Sequence, residues 1–546
     1  MKLTANLLLT ISLSTTLAFA QNPAIQHIIV VVQENRTPDE LFQDPNLINA
    51  GADIVSPSVG GLCGTTSVPL QARPLADCAD PDHNHHDISG GWLGAYDKGK
   101  MDGECVTKME YGYACPSKYP PYACPANNQG ATDCTEYSYV SDPAIQPYWD
   151  IAEKYGYANY MFQTNQGPSF PAHQFLLSGT SAPGSTQNPD YTYFDAENPQ
   201  KTINNVNPAD DAGCAALATQ FAPLVSPTQD ESLKPYPCYE HPTLTDLLDQ
   251  NSISWRYYSD LDKSIWTAPN AISHICNNSV SGGGGSCGSG NGSNHDWNNN
   301  VGPFIELAQR TGYTPSLAPF FQDLQACNLA QVTWVVPDGR WSDHPSENIG
   351  LGPDYVASIV NAVGQGMPNS TCNPLGNPIY WNNTVILIVW DDWGGWYDHV
   401  NPLNTIGIGY PNSGNNNGIQ YVYGFRVPLL VVSTFAKQHY ISGPKSSPIY
   451  YDFGSILKFI ENTFLPSNTF INPTYPYADQ FVDIPPTRTA DLSDFFDCFG
   501  PQCHPFQPIT LVNNSTLCSQ NLCKSNQCDA TCFINYPGPH KDPDTY

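Results

Sequence analysis

The chain is poor in charge, and poorest in positive charge. Only 13% of its 546 residues are Asp, Glu, Lys or Arg, against about a quarter in ordinary soluble domains. Lys and Arg together number 21 and Asp and Glu 50, a formal net charge of −29. Binding nucleic acid needs clustered Lys and Arg to replace counterions, so this balance argues against nucleic acid as a partner. It also disfavours a polybasic hold on anionic lipid. After residue 20 no apolar run reaches the about 18 residues that a membrane span needs, so no transmembrane segment is expected. Nor is any internal repeat visible. What is abundant points to a folded, loop-rich protein. Aromatic residues make up 12%, which excludes a disordered acidic chain. Forty-two Gly and 50 Pro predict long loops between core elements.

Residues 1–20 read as a secretory signal peptide. Lys2 gives a short positive start, Leu7, Leu8, Leu9, Ile11, Leu13 and Leu17 a brief apolar run, and Ala18-Phe19-Ala20 a small-x-small cleavage site. The expectation is a secreted protein, extracellular or periplasmic. The 18 cysteines agree, since all lie after the signal and their number is even. Their spacings do not form paired C-x-x-C knuckles, and an exported chain meets oxidising conditions. Disulfides are therefore expected, with the pairing open. Six of them (Cys498, Cys503, Cys518, Cys523, Cys528 and Cys532) crowd the C-terminal end. The expected organisation is a catalytic domain over 21–495 and a Cys-rich extension over 496–546 packed on it.

Short apolar runs recur along the chain and end in polar residues. They are His27–Val32, Ile253–Tyr258, Val332–Val336, Val385–Trp390 and Val427–Val432. Continuous β-branched runs of this length suit strands buried on both faces, as in a parallel sheet. Helical patterns lie between them at 147–155, 244–249, 353–363 and 455–462. The alternation predicts an α/β fold with a mainly parallel central sheet, helices on both faces and long disulfide-rich insertions. Ligands of such folds gather beyond the carboxyl ends of the strands. Glu34 and Asn35 follow the first strand there, and Asp391 and Asp392 follow another far along the chain. If the two strands are neighbours, four oxygen donors converge. Oxygen donors suit a divalent ion such as Ca²⁺, Mg²⁺ or Mn²⁺, and carboxylates also take Zn²⁺. His344 and His399 are candidates to hold or protonate an anion near the same edge. Taken singly, each of these has a bland alternative, since strand-end Asp and Asn cap helices and a lone His packs.

The combination is similar to a known family. Gln33-Glu34-Asn35-Arg36-Thr37-Pro38-Asp39 resembles the Q-E-N-R-S/T-x-D motif of the phosphoesterase family, which contains bacterial and plant non-specific phospholipases C and related acid phosphatases. Trp390-Asp391-Asp392-Trp393-Gly394-Gly395-Trp396-Tyr397-Asp398-His399-Val400 resembles its D-E-x-G-G-x-F/Y-D-H-V motif. Gly424-Phe425-Arg426-Val427-Pro428 resembles G-x-R-V-P, and Asp343-His344-Pro345 resembles D-H-P. Asp452 to Glu461 resembles D-H-x-S-I/V-L-x-F-I/L-E. These occur in family order from about residue 25 to about residue 465. The resemblance implies an alkaline phosphatase-like fold and a metal-dependent hydrolase of phosphoric esters, of phospholipase C or acid phosphatase type. It implies Glu34, Asn35, Asp391 and Asp392 as metal ligands, with His344 and His399 near the phosphate. A hydroxyl nucleophile precedes a P-N-R-x-F/Y-x-x-S-A/G-T segment in relatives. That segment here is Pro171 to Thr180, which places Ser169 at the nucleophile position, on an exposed turn, with Thr164 and Ser178 as rival hydroxyls. A further histidine comes from the loop before Gly99-Lys100-Met101-Asp102. We place His86 there, with His83 and His85 as alternatives.

The sequence departs from the family pattern at several points. Asp392 stands where many relatives have Glu, Ser169 where many have Thr, and Phe453 where His is common. The P-N-R trio is lost at Ala172 and His173. These changes keep the oxygen donors and leave a phosphomonoester or a phospholipid equally open as substrate. Two other readings compete: a non-catalytic exported binding protein on an esterase scaffold, and a sulfate ester hydrolase. The latter lacks the expected C/S-x-P-x-R motif at Ser169.

Overall fold

The protein is described by a computed structural model over residues 24–85, 91–111, 120–182, 193, 195–201, 212–226, 230–259, 262–279, 284–290, 296–305, 319–339, 341–345, 350–367, 370, 379–401, 423–467, 469–472, 477–483, 489–498, 500 and 503–512. The signal-peptide region, His86 and the last four cysteines lie outside these residues.

Seven strands form the central sheet: β1 (His27–Gln33), β2 (Gly156–Ala158), β3 (Trp255–Tyr258), β4 (Val332–Val335), β5 (Thr384–Trp390), β6 (Leu429–Ser433) and β7 (Tyr440–Ser442). Their order is β3-β4-β1-β5-β6-β2-β7. The first four run parallel, β6 is antiparallel to both its neighbours, and β7 is parallel to β2. The expectation of a mixed α/β fold with a mainly parallel sheet thus holds, and the five apolar runs are five of its strands. The run at 427–432 gives the antiparallel strand β6. A strand buried on both faces reads as continuous apolar sequence in either direction, so the run carried no sign of its orientation. The three-residue strands β2 and β7 are too short to show a pattern.

Helices cover both faces, as side-chain parity shows. Trp334 of β4 pairs with Val30 and Tyr257, and Val30 pairs with Leu387, so these four point to one face. There the Trp334 indole donates to the carbonyl of Leu176 in helix α2 (Ser169–Ser178). Trp390 lies three residues beyond Leu387 and so points to the other face. It packs edge-on against Tyr148 of helix α1 (Gln146–Lys154), with ring centroids 4.9 Å apart. Helices α3 (Leu244–Gln250), α4 (Gly352–Gln365) and α5 (Phe453–Phe464) fall where periodicity puts them. The strands bury Val, Ile and Leu almost completely, each contributing about 1.5–3 kcal/mol from area removed from water.

The insertions are pinned by disulfides as expected: Cys63–Cys105, Cys124–Cys134, Cys214–Cys238, Cys276–Cys287 and Cys498–Cys503. Among the described residues no cysteine is free. The described part of the C-terminal extension lies along α1 and α4. Tyr155 donates its hydroxyl to the carbonyl of Gln507, Ile509 donates to Asn361, and Val512 to Asp354. Among the described residues no helix is long and apolar enough to cross a membrane.

Candidate active site

The register between β1 and β5 runs unbroken from His27 opposite Thr384 to Gln33 opposite Trp390. The two strands therefore end level, and Glu34-Asn35 meets Asp391-Asp392. The peptide NH of Asp391 donates to the carbonyl of Gln33 at 3.0 Å, and the NH of Asn35 to Asp391 Oδ1 at 3.0 Å. Asn35 adopts a left-handed conformation, φ 58°, which turns the chain back over the strand ends. The Gly394-Gly395 pair lets the second loop close on the first. Both have φ above 60°, and a Cβ on Gly394 would lie 2.2 Å from the carbonyl oxygen of Asn35. A Cβ on Gly395 would lie 2.5 Å from Pro81, next to His83. The NH of Gly394 holds Asp392 Oδ1 at 2.7 Å, leaving Oδ2 to face inward.

Ser169 enters from the helix side. Contrary to the expected exposed turn, it is the first residue of α2 and fully buried. All ten residues of α2 are buried, so no polar face existed to betray a helix in the sequence. Its Oγ lies 3.1 Å from Asp392 Oδ2 and 3.5 Å from both Glu34 Oε2 and Asn35 Oδ1. The preceding loop is locked by amide side chains. Gln163 and Asn165 both donate to the carbonyl of Gly167, and Gln163 accepts from the NH of Trp393. That bond ties the serine loop to the aspartate loop. The rival hydroxyls point elsewhere: Thr164 accepts from the NH of Phe453, and Ser178 donates within the last turn of α2.

Two histidines complete the cluster. His83 Nε2 lies 2.8 Å from Asn35 Nδ2 and 3.9 Å from Asp392 Oδ2, and its Nδ1 is 2.9 Å from the carbonyl of Pro81. With Nδ1 donating to that carbonyl, Nε2 accepts from the Asn35 amide. His83 was an alternative in the sequence reading and stands at the cluster, His86 lies outside the described residues, and His85 turns away to Glu231 at 2.8 Å. The second is His173, which the sequence reading passed over. Its Nε2 is 3.0 Å from Glu34 Oε1 and 3.7 Å from Asp391 Oδ2. The signal was available: Ser169 and His173 are four apart, hence on one face of a helix. It was lost because the helix itself was not seen. His344 stands beside the cluster, its ring 6.2 Å from that of His83 and 5.8 Å from Trp266. Asp343, the residue before it, accepts from Tyr148 and Trp390. Burial outweighs nearby Arg36 and these donors and pushes the Asp343 carboxyl up to about 7.

His399 is placed differently from the expectation. Its Nδ1 donates to Asp39 Oδ2 at 2.7 Å and its Nε2 is 3.3 Å from Asp53 Oδ1. Arg426 of the G-F-R-V-P segment clamps Asp398 through two 2.9 Å bonds and reaches Asp39 at 3.4 Å. This second acidic cluster contains its own cation. Burial works against the charged imidazole, but Asp39 and then Asp53 outweigh it and push His399 up to about 9. The D-H-V spacing brought His399 near the loop but could not show which carboxylates its ring would meet.

The first cluster fits a divalent ion by its own chemistry. Ser169 has one hydroxyl proton, yet three acceptor oxygens lie within 3.5 Å of its Oγ. Asp391 Oδ2 is fully buried without a hydrogen-bond partner, an arrangement that costs about 1–3 kcal/mol or more unless compensated. Glu34, Asn35, Asp391 and Asp392 would hold the ion, on oxygen donors. Alongside runs a cavity of about 290 Å³ lined by Asp80, Asp82, His83, Lys108, Glu110 and Pro168, among others. It reaches His83 and the residue before Ser169.

A model of the phosphoesterase family matches residues 25–465. The chain belongs to that family. It is similar to the non-hemolytic phospholipase C of Burkholderia pseudomallei K96243, 26% identical over 287 residues, covering 48% of this chain and 36% of the relative. It is also similar to phospholipase C B of Mycobacterium tuberculosis H37Rv, 26% identical over 248 residues, covering 43% of this chain and 41% of the relative. The non-specific phospholipase C6 of Arabidopsis thaliana is 27% identical over 161 residues, covering 28% of each chain. The matched part spans less than half the length of these relatives.

Proposed function

We propose that this protein is a secreted, metal-dependent hydrolase of phosphoric esters, of phospholipase C or acid phosphatase type, built on an alkaline phosphatase-like fold and acting through Ser169. The observation that carries the reading is the position of Ser169 Oγ, 3.1–3.5 Å from oxygens of Glu34, Asn35 and Asp392 at the carboxyl edge of the sheet. The phospholipase C relatives support the class of reaction. A bound divalent ion would supply charge neutralisation to the phosphoryl oxygens and to the serine oxygen.

The chain's own groups carry the remaining steps. Ser169 Oγ gives its hydroxyl proton to solvent and attacks phosphorus, while Asp392 Oδ2, 3.1 Å away, is kept for the ion. The Oγ–P bond forms while the bond from phosphorus to the leaving oxygen breaks in line with it. His83 or His344, in its protonated form, gives that oxygen a proton. Water then attacks phosphorus from the vacated side and gives a proton to the same, now neutral, histidine. The P–Oγ bond breaks, and Ser169 Oγ takes up a proton from solvent. The start of α2 points its positive dipole end at this centre, which favours the developing negative charge. The cavity lined by His83 and Lys108 has room for a headgroup or a small phosphoester rather than for acyl chains. Extracellular action on phosphomonoesters or phospholipids is the expected setting, with the Cys-rich extension as a pinned accessory to one catalytic domain.

The test is Ser169→Ala assayed against phosphomonoesters, phosphodiesters and phosphatidylcholine. Turnover should fall by about three orders of magnitude or more with cation binding kept. Acid-quenched phosphorus labelling of the wild type should mark Ser169. Near-normal turnover in the variant would mean that water attacks directly.

A further inference from the structure

The site contains a nitrogen donor that the oxygen ligand set does not account for. His173 is buried, with its Nε2 directed at the two carboxylates that come from different strands, 3.0 Å from Glu34 Oε1 and 3.7 Å from Asp391 Oδ2. Two ligands of one small divalent ion, each at about 2.0–2.2 Å, stand about 3–4.2 Å apart. Both separations fall in that window, and Glu34, His173 and Asp391 each offer an atom within 4.8 Å of the others. The independent sign of a missing partner is Asp391 Oδ2, buried and without a hydrogen bond. The imidazole is held rather than loose. It sits one helical turn after Ser169 on α2, and its ring lies roughly parallel to Trp266 at 6.5 Å.

We propose that His173 is a metal ligand through Nε2, so that the site is a mixed nitrogen and oxygen centre for a borderline ion such as Zn²⁺ or Co²⁺ rather than an oxygen-only site for Mg²⁺ or Ca²⁺. This rests on the reading that Glu34 and Asp391 bind a cation. Imidazole suits first-row transition ions, whereas Mg²⁺ and Ca²⁺ are taken almost entirely by oxygen. A neutral imidazole also adds a donor without adding to the negative charge that the buried carboxylates already bring together. In the absence of an ion, the same Nε2–H donates to Glu34 and keeps the two groups aligned. As the ligand bond forms on Nε2, the ring's one proton sits on Nδ1 and the imidazole stays neutral.

The experiment uses the full chain stripped with chelator and reloaded with Zn²⁺ alone, Co²⁺ alone or Mg²⁺ alone. Zinc-edge X-ray absorption of the wild type should show imidazole scattering, which disappears in His173→Gln and survives in His83→Gln. Titration should show Zn²⁺ and Co²⁺ binding weakened tenfold or more in His173→Gln, with Mg²⁺ binding changed less than threefold. A wild-type ion bound only by oxygen would overturn the proposal while leaving the metal site intact, and this measurement needs no variant to fold. An unchanged Zn²⁺ to Mg²⁺ preference in His173→Gln would overturn it as well. A wild type that binds none of the three ions would overturn the metal reading itself, and the proposal with it.

Discussion

Two acidic clusters lie within a few residues of each other along the same loops, and they are built to opposite ends. Asp391 and Asp392 belong to one, Asp398 and His399 to the other, and Glu34 and Asp39 divide the first loop in the same way. In the second cluster a guanidinium and an imidazole answer the carboxylates directly: Arg426 grips Asp398 in a bidentate pair and His399 bridges Asp39 and Asp53. The first is held together by an amide, a hydroxyl and two histidines around three carboxylates, and it keeps an unsatisfied oxygen on Asp391. Closely placed carboxylates alone do not distinguish a binding centre from a structural lock. The counter-charge that the fold itself supplies does.

The comparison breaks most visibly at Arg426. Arg426→Met leaves Asp398 and Asp39 buried without their cation, and removal of one partner from such a pair costs about 3–5 kcal/mol. We expect the largest fall in melting temperature of any single change considered, with cation binding at Glu34 and Asp391 retained in whatever fraction folds. Chemical denaturation alongside elemental analysis checks both halves.

Next in size is the Cys63–Cys105 bridge, which closes the loop carrying His83 over 42 residues. Replacing both cysteines with serine should lower stability by about 2–4 kcal/mol and slow turnover by loosening His83, while Arg426 and its partners are untouched. Unchanged turnover at a temperature where the variant is fully folded would separate His83 from the reaction.

The smallest effect is a pH slope. His399 has its folded value raised to about 9, above the ordinary value of 6.5. Its contribution to stability is fully present below about pH 6.5 and is lost as pH rises through about 9. The melting temperature should therefore decline between pH 7 and 10, and His399→Gln should flatten that decline without moving the metal affinity. A slope unchanged by the substitution would remove His399 from the lock.

The same contrast explains how far the sequence could be read. Glu34, Asn35, Asp391 and Asp392 were legible because each pair ends an apolar strand, and strand ends gather at one edge whatever the intervening chain does. Their convergence needed only that the two strands be neighbours, which the register of β1 and β5 supplies. Ser169 was placed through its resemblance to a family motif, but its setting was misread. A helix buried on every side has no amphipathic period, so α2 was invisible and His173 with it. The choice among His83, His85 and His86 depends on the path of one irregular loop, which counting cannot follow. The ring of His399 meets Asp39 and Asp53, because adjacency in a motif says nothing of where a ring turns.

The most direct test sets the two clusters against each other for a single cation. Full-length wild type, Asp391→Asn and Arg426→Lys are stripped, dialysed to equilibrium against Zn²⁺ and analysed for bound metal. Wild type and Arg426→Lys should each hold about one equivalent, and Asp391→Asn almost none, because ligands contributed by two strands act as a unit. A full equivalent in Asp391→Asn, or a loss confined to Arg426→Lys, would contradict the assignment of the cation to the cluster at Ser169.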